Sequence, residues 1–361
     1  MTDFVKYPMR SWVFEDSLGR YDIDLGDSHV QCGTLGGLRL SGDLELNYGV
    51  DRGSLALREL IAGLYGGSPE QTVVTHGAQE ALYLLYRTLL RPGDRVVTFR
   101  PGWAQSWDVP RDHRCTVDVL ELTGDFGIDL EAVAESVGRG DLRLVVVNTP
   151  CNPTGRRLRL HELEQLLVLV EAAGAYLLAD EEYVLDLSAS AAHHSERVVS
   201  VSSLSKVYGF PGLRVGWMYG PPDVVAACAR RKHLTSISNS VLCEALACDV
   251  LAHRSVYADR YRQLVGPGLA QLHAWAGRTT AAVRLVPPEG TPFAWVHLLT
   301  GESALSFARR LLDVGVLVMP GETLGTTGGF RLTFAREPGV LAEGLRRIGT
   351  VLGSRFHDVS L

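Results

Sequence analysis

The stretch S-L-S-K-V-Y-G-F-P-G-L-R-V-G, residues Ser203–Gly216, decides how this chain folds and what it binds. It follows a predicted strand, Val198–Ser202, and it places Lys206 just after two serines and eight residues before Arg214. Serine hydroxyls and a guanidinium can surround a phosphate, and a lysine amine can form an imine with an aldehyde. A solvated lysine in a turn rich in Gly and Pro is the plainer interpretation, but the whole pattern favours a phosphate-binding loop with a reactive lysine.

Around this stretch the sequence alternates between short apolar strands and helical patterns. Leu142–Asn148 contains a run of valines and is typical of a central strand buried on both faces. Leu160–Ala173 has apolar residues at the spacing of one helical face, and Gly174 is placed to end that helix. The other elements predicted here are the strands Thr72–His76, Arg95–Phe99, Thr116–Leu120 and Tyr176–Ala179 and the helix Ala78–Leu90. Such alternation predicts an α/β fold, with a mostly parallel sheet and helices on both faces.

Beyond residue 255 the pattern changes. The predicted strands there are Val283–Val286, Phe293–His297, Val316–Met319 and Arg331–Ala335, and a helix is predicted at Leu305–Val314. This order predicts a smaller α+β domain over residues 256–361, beside a large domain over residues 46–255. Residues 1–45 are expected to join the small domain.

Composition narrows the classes of function. The 361 residues carry a formal net charge of −6, so no basic surplus is present to neutralise nucleic-acid phosphates. No apolar run is long enough for a signal peptide or a membrane span. The six cysteines form no C-x-x-C pair, which argues against a zinc or dithiol site and favours a reducing, cytoplasmic setting. No metal site is predicted.

Several predicted strands are followed by residues suited to ligand binding. In an open parallel sheet, ligands bind beyond the carboxyl ends of the strands. H-G-A-Q, residues 76–79, opens a helix whose first backbone N–H groups can bind a phosphate. Trp103 can stack on a flat ring, and Asp180 closes a strand, where a buried carboxylate needs a cationic partner. These positions predict one ligand site built from several loops.

Together these motifs resemble those of the class I/II aminotransferases, whose fold is the type I fold of pyridoxal 5′-phosphate (PLP) enzymes. N-T-P-C-N-P-T-G, residues 148–155, is similar to the family's N-P-x-N-P-T-G, and D-E-E-Y, residues 180–183, also matches. The resemblance implies a seven-stranded, mostly parallel sheet and a Schiff base between Lys206 and PLP. The residues that it implies bind the cofactor are Tyr48, Gly77, Ala78, Gln79, Trp103, Asn152, Asp180, Tyr183, Ser203, Ser205, Lys206 and Arg214.

The resemblance also implies individual roles. Asp180 would pair with the pyridine nitrogen of the cofactor, and Asn152 and Tyr183 would hydrogen-bond its phenolic oxygen. N-Y-G, residues 47–49, resembles the segment whose tyrosine, here Tyr48, reaches the phosphate of the neighbouring subunit, which implies a homodimer with shared active sites. G-G-F-R-L-T-F, residues 328–334, resembles the segment whose arginine, here Arg331, binds the substrate carboxylate.

The segment near the N-terminus departs from the ordinary family pattern. D-L-G-D-S-H-V-Q, residues 24–31, stands where ordinary members carry a motif such as G-E-P-D. It resembles members that act on arginine derivatives in natural-product pathways, namely capreomycidine synthases and PLP-dependent arginine oxidases. That resemblance implies that His29 is a second acid/base near the substrate side chain and that Glu15 or Asp27 contacts a guanidinium. A polar loop histidine and a surface carboxylate are the alternative interpretation.

Three functions follow as hypotheses. The first is transamination of an L-amino acid to a 2-oxo acid, with Lys206 moving the Cα proton and with Asp180 and Tyr183 assisting. The second is a cyclase or oxidase that acts on arginine or a hydroxyarginine, and it depends on the N-terminal segment. The third is a PLP-binding module without catalysis, such as the sensor half of a transcription regulator.

Overall fold

The computed structural model describes residues 7–357 of the chain, and side chains as far as residue 353. These residues form two compact units. We call them the central unit, which comprises Cys32–Cys151 and Arg156–Tyr261, and the terminal unit, which comprises the described residues up to Gln31, Asn152–Gly155 and those from Arg262 onwards. The sequence led us to expect breaks after residues 45 and 255; the units divide after residues 31 and 261, and the short stretch Asn152–Gly155 also belongs to the terminal unit.

Hydrogen bonds explain the earlier of these divisions. The Gly33 N–H donates to the carbonyl of Gly209 at 2.9 Å, and the Arg260 guanidinium donates to the carbonyl of Cys32 at 3.1 Å. Both contacts lie within the central unit, so the segment after Gln31 packs with the large sheet. Composition alone does not reveal such backbone pairing.

Thirteen strands and eleven α-helices are present in the described residues. The strands are β1 Ile23–Asp24, β2 Thr72–Thr75, β3 Arg95–Arg100, β4 Thr116–Glu121, β5 Leu142–Asn148, β6 Tyr176–Asp180, β7 Val198–Ser203, β8 Gly216–Tyr219, β9 Val283–Val286, β10 Phe293–Leu298, β11 Val316–Leu317, β12 Met319–Pro320 and β13 Gly329–Thr333. The helices are α1 Pro8–Ser11, α2 Leu55–Tyr65, α3 Gly77–Leu89, α4 Gln105–Asp112, α5 Leu130–Gly138, α6 Leu160–Ala172, α7 Pro222–Lys232, α8 Val241–Ala252, α9 Arg254–Arg278, α10 Ala304–Asp313 and α11 Pro338–His357. Across residues 7–357, no helix has the length and apolar character that crossing a membrane requires.

The central unit is built on a seven-stranded sheet with the order β2-β8-β7-β6-β5-β3-β4. All neighbouring strands are parallel except β8, which runs antiparallel to both β2 and β7. The predicted mostly parallel sheet is therefore confirmed. The sequence analysis missed the strand β8, which directly follows the lysine loop and takes its hydrogen bonds from β2 and β7.

Helices cover both faces of this sheet, and β5 shows the arrangement most clearly. Leu144 and Val146 pack into the core formed with α3 and α7, while Val145 and Val147 pack into the core formed with α5 and α6. Side chains alternate between the two faces of a strand, so a continuous run of valines is what a strand buried on both sides requires.

The terminal unit contains an antiparallel sheet of order β12-β13-β10-β9 and a parallel pair, β1 with β11. The single strand predicted at Val316–Met319 is wrong. The chain there divides into β11 and β12, which belong to different sheets, and the carbonyl of Val318 between them accepts a hydrogen bond from Trp12 Nε1 at 3.0 Å. The division depends on partners distant in sequence, which a local pattern cannot show.

Candidate active site

Asp180 ends β6 beside Asn148, which ends the neighbouring strand β5. The Asn148 amide donates to the backbone carbonyl of Asp180 at 3.0 Å, and the Asp180 carboxylate accepts the N–H of Glu182 at 3.3 Å. Asp180 is buried, and this burial, followed by the charge of Glu182, raises the pKa of Asp180 well above its ordinary value. A nearby cation would favour the charged carboxylate. The position suits a protonated ring nitrogen.

Lys206 lies half-buried in the loop that follows β7. Ser203, the last residue of that strand, fixes the start of the loop, because its hydroxyl accepts the N–H of Ser205 at 3.0 Å and donates to Glu182 Oε1 at 2.5 Å. The sequence analysis assigned Ser203 and Ser205 to the phosphate. In the structure the Ser203 hydroxyl donates its proton to Glu182, so this serine orients the lysine loop. Its contact with a cofactor stays a prediction.

The N-terminus of α3 forms a cradle with Arg214. Gly77 begins the helix with φ +70°, and a Cβ added there would lie 2.3 Å from Arg214 Nη2. Arg214 itself has φ +52°, and its guanidinium donates to the carbonyl of Pro211 at 3.0 Å. A Cβ on Gly216 of β8 would lie 2.4 Å from the Ala78 nitrogen, so this glycine lets the helix start approach the sheet. Backbone N–H groups of a first helical turn and a guanidinium together form an anion site.

Trp103 is held by two glutamines. Its indole Nε1 donates to Gln79 Oε1 at 3.2 Å and to Gln105 Oε1 at 2.9 Å. The ring is half-buried, so one part of it stays accessible. Gln79 was predicted to bind the cofactor, and in the structure its side chain orients this ring.

Glu80 was missed by the sequence analysis. Its carboxylate accepts the backbone N–H of His76 at 2.7 Å and the hydroxyl of Ser236 at 2.6 Å. Burial opposes the charge, but these hydrogen bonds and one from the His76 ring hold the pKa of Glu80 at about 2. The residue therefore fastens the start of α3 to the segment around residue 236.

The two tyrosines of the prediction occupy contrasting surroundings. Tyr183 is buried in the central unit, three residues after Asp180. Tyr48 is 83% exposed, and its predicted contact with a second subunit stays a prediction.

Arg331 and Asn152 come together in the terminal unit. Arg331 lies in the middle of β13 and is buried. Its Nη1 donates to Asn152 Oδ1 at 2.6 Å, and its Nη2 donates to the carbonyl of Gly26. A guanidinium only donates, so the atom of Asn152 that faces it is the oxygen, and the NH₂ group of the amide is directed elsewhere as a donor.

Asp27 and His29 form a pair in the same unit. Asp27 Oδ2 lies 2.9 Å from His29 Nε2, and His29 Nδ1 lies 2.7 Å from the carbonyl of Val30. Burial opposes the charge of Asp27, but the hydrogen bond and the charge of His29 hold the pKa of Asp27 well below its usual range. Burial, followed by the charge of Asp27, raises the pKa of Asp24. Asp24 Oδ1 accepts the N–H groups of Gly26 and Asp27 at 2.8 and 3.0 Å.

Arg336 holds the backbone of this segment and was also missed. The residue is buried, and it donates to the carbonyls of Asp24 at 3.0 Å and His29 at 2.6 Å. The Thr333 hydroxyl donates to the carbonyl of Asp27. The segment that carries Asp27 and His29 is therefore fastened to β13 and to the residues that follow it.

Glu15 has different surroundings. Its side chain is about half exposed and pairs with Arg10, five residues earlier, within the N-terminal helical turns. Its predicted contact with a substrate guanidinium stays a prediction.

The model of the aminotransferase class I and II family matches residues 18–348 of this chain. The chain belongs to this family. Aspartate aminotransferase of Thermotoga maritima is 31% identical over 86% of this chain and 85% of its own length. Capreomycidine synthase of Streptomyces vinaceus is also 31% identical, over 96% of this chain and 94% of its own length.

Solved structures of the family share this fold. A PLP-dependent aminotransferase from Streptococcus suis superposes with a TM-score of 0.91 at 27% identity, covering 98% of both chains. The PLP-dependent cyclase OrfR superposes with a TM-score of 0.89 at 28% identity, also covering 98% of both chains. The predicted type I fold is confirmed, and this member of the class I and II family is a PLP-dependent enzyme.

The central unit of this aminotransferase-family chain fits PLP in its chemistry. Arg214 and the start of α3 supply donors for a phosphate, and a Cβ at Gly77 would have to displace the Arg214 guanidinium. Lys206 supplies a primary amine, Asp180 a buried carboxylate for a ring N–H, and Trp103 a flat aromatic surface. The phosphate, the aldehyde, the ring nitrogen and the ring face of the cofactor thus each have a complementary group.

Replacing Gly77 with alanine is expected to weaken PLP binding at least about tenfold, which corresponds to about 1.4 kcal/mol. The added Cβ would be strained at φ +70° and would displace the Arg214 guanidinium. Titration of the apoprotein with PLP, followed by visible absorbance, measures the dissociation constant. Gly212→Ala is the matched control, because a Cβ there meets no atom within 4 Å. A Gly77→Ala protein with wild-type affinity would contradict the cradle.

Proposed function

We propose that this enzyme acts at the Cα–H bond of an L-α-amino acid. Arg331 binds the substrate carboxylate, because a buried guanidinium offers paired donors to that planar anion. The amine of Lys206 removes the Cα proton and returns it. Bound PLP supplies an electron sink for the charge that develops at Cα. Asp180 holds the proton of the ring nitrogen, and Tyr183 and the amide of Asn152 donate to the ring oxygen.

We infer further that the substrate is a guanidino amino acid and that the enzyme eliminates from it or cyclises it. The observation that carries this proposal is the Asp27–His29 pair, which shares the terminal unit with Arg331. Transamination needs one acid/base at Cα, and Lys206 supplies it. A second acid/base pair is needed when a group also leaves from the side chain.

The hydrogen bonds of His29 support an acid role. One ring nitrogen faces a backbone carbonyl and the other faces the Asp27 carboxylate, and both are acceptors. The imidazolium form alone donates to both. His29 would then deliver its proton to a leaving hydroxyl, which departs as water, while Lys206 holds the proton taken from Cα. Asp27, only half-buried, is the carboxylate that would meet the guanidinium of the substrate.

Similarity over the whole length also supports this proposal. Capreomycidine synthase aligns over 96% of the chain, whereas the Thermotoga maritima aspartate aminotransferase aligns over 86%. OrfR superposes with a TM-score of 0.89 and the Streptococcus suis aminotransferase with 0.91, so backbone similarity does not separate the two reactions. Transamination is the second candidate, and the family match together with the Streptococcus suis aminotransferase supports it.

A spectral and product screen distinguishes these reactions. The purified enzyme would be mixed with the proteinogenic amino acids, arginine and hydroxyarginines, without any keto acid. Repeated turnover of a hydroxyarginine to a product that has lost one water supports the cyclase or eliminase. A single turnover to a 2-oxo acid, with the cofactor left in its amine form, supports transamination. Formation of hydrogen peroxide from arginine and dioxygen would indicate an oxidase instead.

Substituting His29 with asparagine is expected to lower product formation about 10²-fold and to leave exchange of the Cα proton with deuterated water within about threefold. Lys206 carries out the exchange, whereas His29 acts on the side chain. Mass spectrometry of substrate and product measures both rates in one sample. His273→Asn, on the exposed face of α9, is the control. An unchanged product profile and rate would remove His29 from the mechanism.

We also propose a homodimer. Exposed apolar side chains lie on two segments of the central unit, residues 46–49 and residues 234–239. Leu46 is 75% exposed, Tyr48 83% and Leu234 78%. The two segments adjoin, because a Cβ added at Gly49 would lie 3.2 Å from the carbonyl of Asn239. A second copy of the chain would cover this apolar surface and bring Tyr48 to the phosphate of its partner.

A further inference from the structure

Glu182 connects the loop of Asp180 with the loop of Lys206. Its backbone N–H donates to Asp180 Oδ1 at 3.3 Å, and its carboxylate accepts the Ser203 hydroxyl at 2.5 Å. That hydroxyl in turn accepts the N–H of Ser205, the residue directly before Lys206. Glu182 thus contacts the end of β6 through its backbone N–H and the end of the adjacent strand β7 through its half-buried side chain.

The hydrogen bonds fix the direction of each donor. A carboxylate only accepts, so the Ser203 proton points toward Glu182 and the lone pairs of the hydroxyl are left for the Ser205 N–H. Hydrogen bonds to an ionised acceptor are stronger than those between neutral groups. The start of the lysine loop is therefore fastened by a charged group from the segment that follows the neighbouring strand β6.

The charge of Glu182 also acts on its surroundings. The groups whose charges act on Asp180 are Glu182, Lys206 and Glu181, and the phenol of Tyr86 from α3 feels the charge of Asp180 in turn. Glu181 is buried and accepts the hydroxyls of Ser190 and Ser200, so its carboxylate serves a separate network. Glu182 is the carboxylate that both neighbours Asp180 and contacts the lysine loop.

We propose that Glu182 is a positioning residue, which orients the Lys206 loop through the Ser203 hydroxyl and favours the protonated form of the cofactor held on Lys206. A negative charge in partly buried surroundings stabilises a cation nearby. This inference depends on PLP as the cofactor and not on the choice between cyclisation and transamination. Glu182 does not itself touch the reacting atoms.

Two substitutions separate the charge from the hydrogen bond. Glu182→Gln keeps an acceptor for Ser203 but removes the charge, and we expect the pH midpoint of the visible absorbance change to fall by about one unit. Ser203→Ala keeps the charge of Glu182 but removes the hydroxyl that fastens the lysine loop. We expect the pH midpoint of the absorbance change to stay the same and the dissociation constant for PLP to rise about tenfold. Ser203→Thr keeps a hydroxyl and is expected to restore wild-type affinity.

The measurements are a pH titration of the PLP-loaded protein and a PLP titration of the apoprotein. Glu196→Gln, an exposed carboxylate of the same unit, controls for loss of one charge from the protein. A Glu182→Gln midpoint equal to that of wild type and of Glu196→Gln would overturn the role of the charge. Equal PLP affinities of Ser203→Ala and Ser203→Thr would overturn the role of the hydroxyl.

If Glu182→Gln does not fold, Glu182→Asp replaces it. The aspartate keeps the charge on a shorter side chain, and it is expected to keep the midpoint and to bind PLP as weakly as Ser203→Ala.

Discussion

Replacing Lys206 with alanine is expected to abolish the visible absorbance of the covalently held cofactor and to lower kcat/KM by at least about 10⁴-fold. The variant loses the amine that holds PLP and the base that moves the Cα proton, and proton transfer by a positioned base contributes up to about 10⁴-fold by itself. Absorbance spectra of the protein saturated with PLP, together with initial rates, measure the two effects. An unchanged spectrum would defeat the assignment of the lysine.

A matched variant at this position tests whether the positive charge of Lys206 can replace its ability to form the imine. Lys206→Arg keeps a cation but cannot form the imine, because the guanidinium stays protonated. We expect it to behave like Lys206→Ala in both the spectrum and the rate. PLP should still bind to both variants without a covalent link, since the cradle at Gly77 and Arg214 is unchanged.

Replacing Arg331 with alanine is expected to raise KM for the amino acid at least about 10²-fold and to change PLP affinity by less than about threefold. A charged hydrogen bond contributes about 1.5–3 kcal/mol, and a bidentate carboxylate contact has two. The wild-type enzyme should prefer an α-amino acid over its decarboxylated amine, and the variant should lose that preference. Equal wild-type affinity for the acid and the amine would rule out the carboxylate role.

The same variant should also lose stability. Arg331 donates to Asn152 Oδ1 and to the carbonyl of Gly26, and its removal leaves these acceptors without that donor in a buried position. We expect a loss of about 2–3 kcal/mol in the free energy of unfolding. Arg284→Ala, an exposed arginine on β9 of the same sheet, controls for loss of a cation and should change neither quantity. Kinetics on Arg331→Lys, which retains the charge without the fork of donors, tests the geometry of the contact.

The sequence predicted the central sheet well because most of its strands are marked by their own runs of apolar residues. Leu142–Asn148 is buried on both faces and consists almost wholly of apolar residues, so pattern and structure coincide there. The prediction failed for β8, whose four residues depend on β2 and β7 for their hydrogen bonds. The prediction also failed at Val316–Met319, where one short apolar segment supplies β11 to one sheet and β12 to another.

At the candidate active site, too, sequence motifs reveal some of the residues and only tertiary contacts reveal the others. The motifs mark Lys206, Asp180 and Arg331: Asp180 and Arg331 are charged residues within apolar strands, and Lys206 lies in a loop between two serines and an arginine that suit a phosphate. The sequence assigned no role to the residues that orient the site, such as Glu182, which lies inside a recognised motif, and Arg336, which lies outside one. Their function is visible only in contacts such as the one between Arg336 and the carbonyl of His29, which joins residues 307 positions apart.

The sequence by itself determined the family, the cofactor chemistry and the parallel sheet, because these depend on local motifs and on the period of apolar residues. Tertiary structure alone decided that the Ser203 hydroxyl donates to Glu182, that Gln79 holds Trp103, and that the Arg331 guanidinium donates to Asn152. A hydroxyl, an amide or a guanidinium can bind many partners, and only the packing of segments that are separated in the sequence selects one of them.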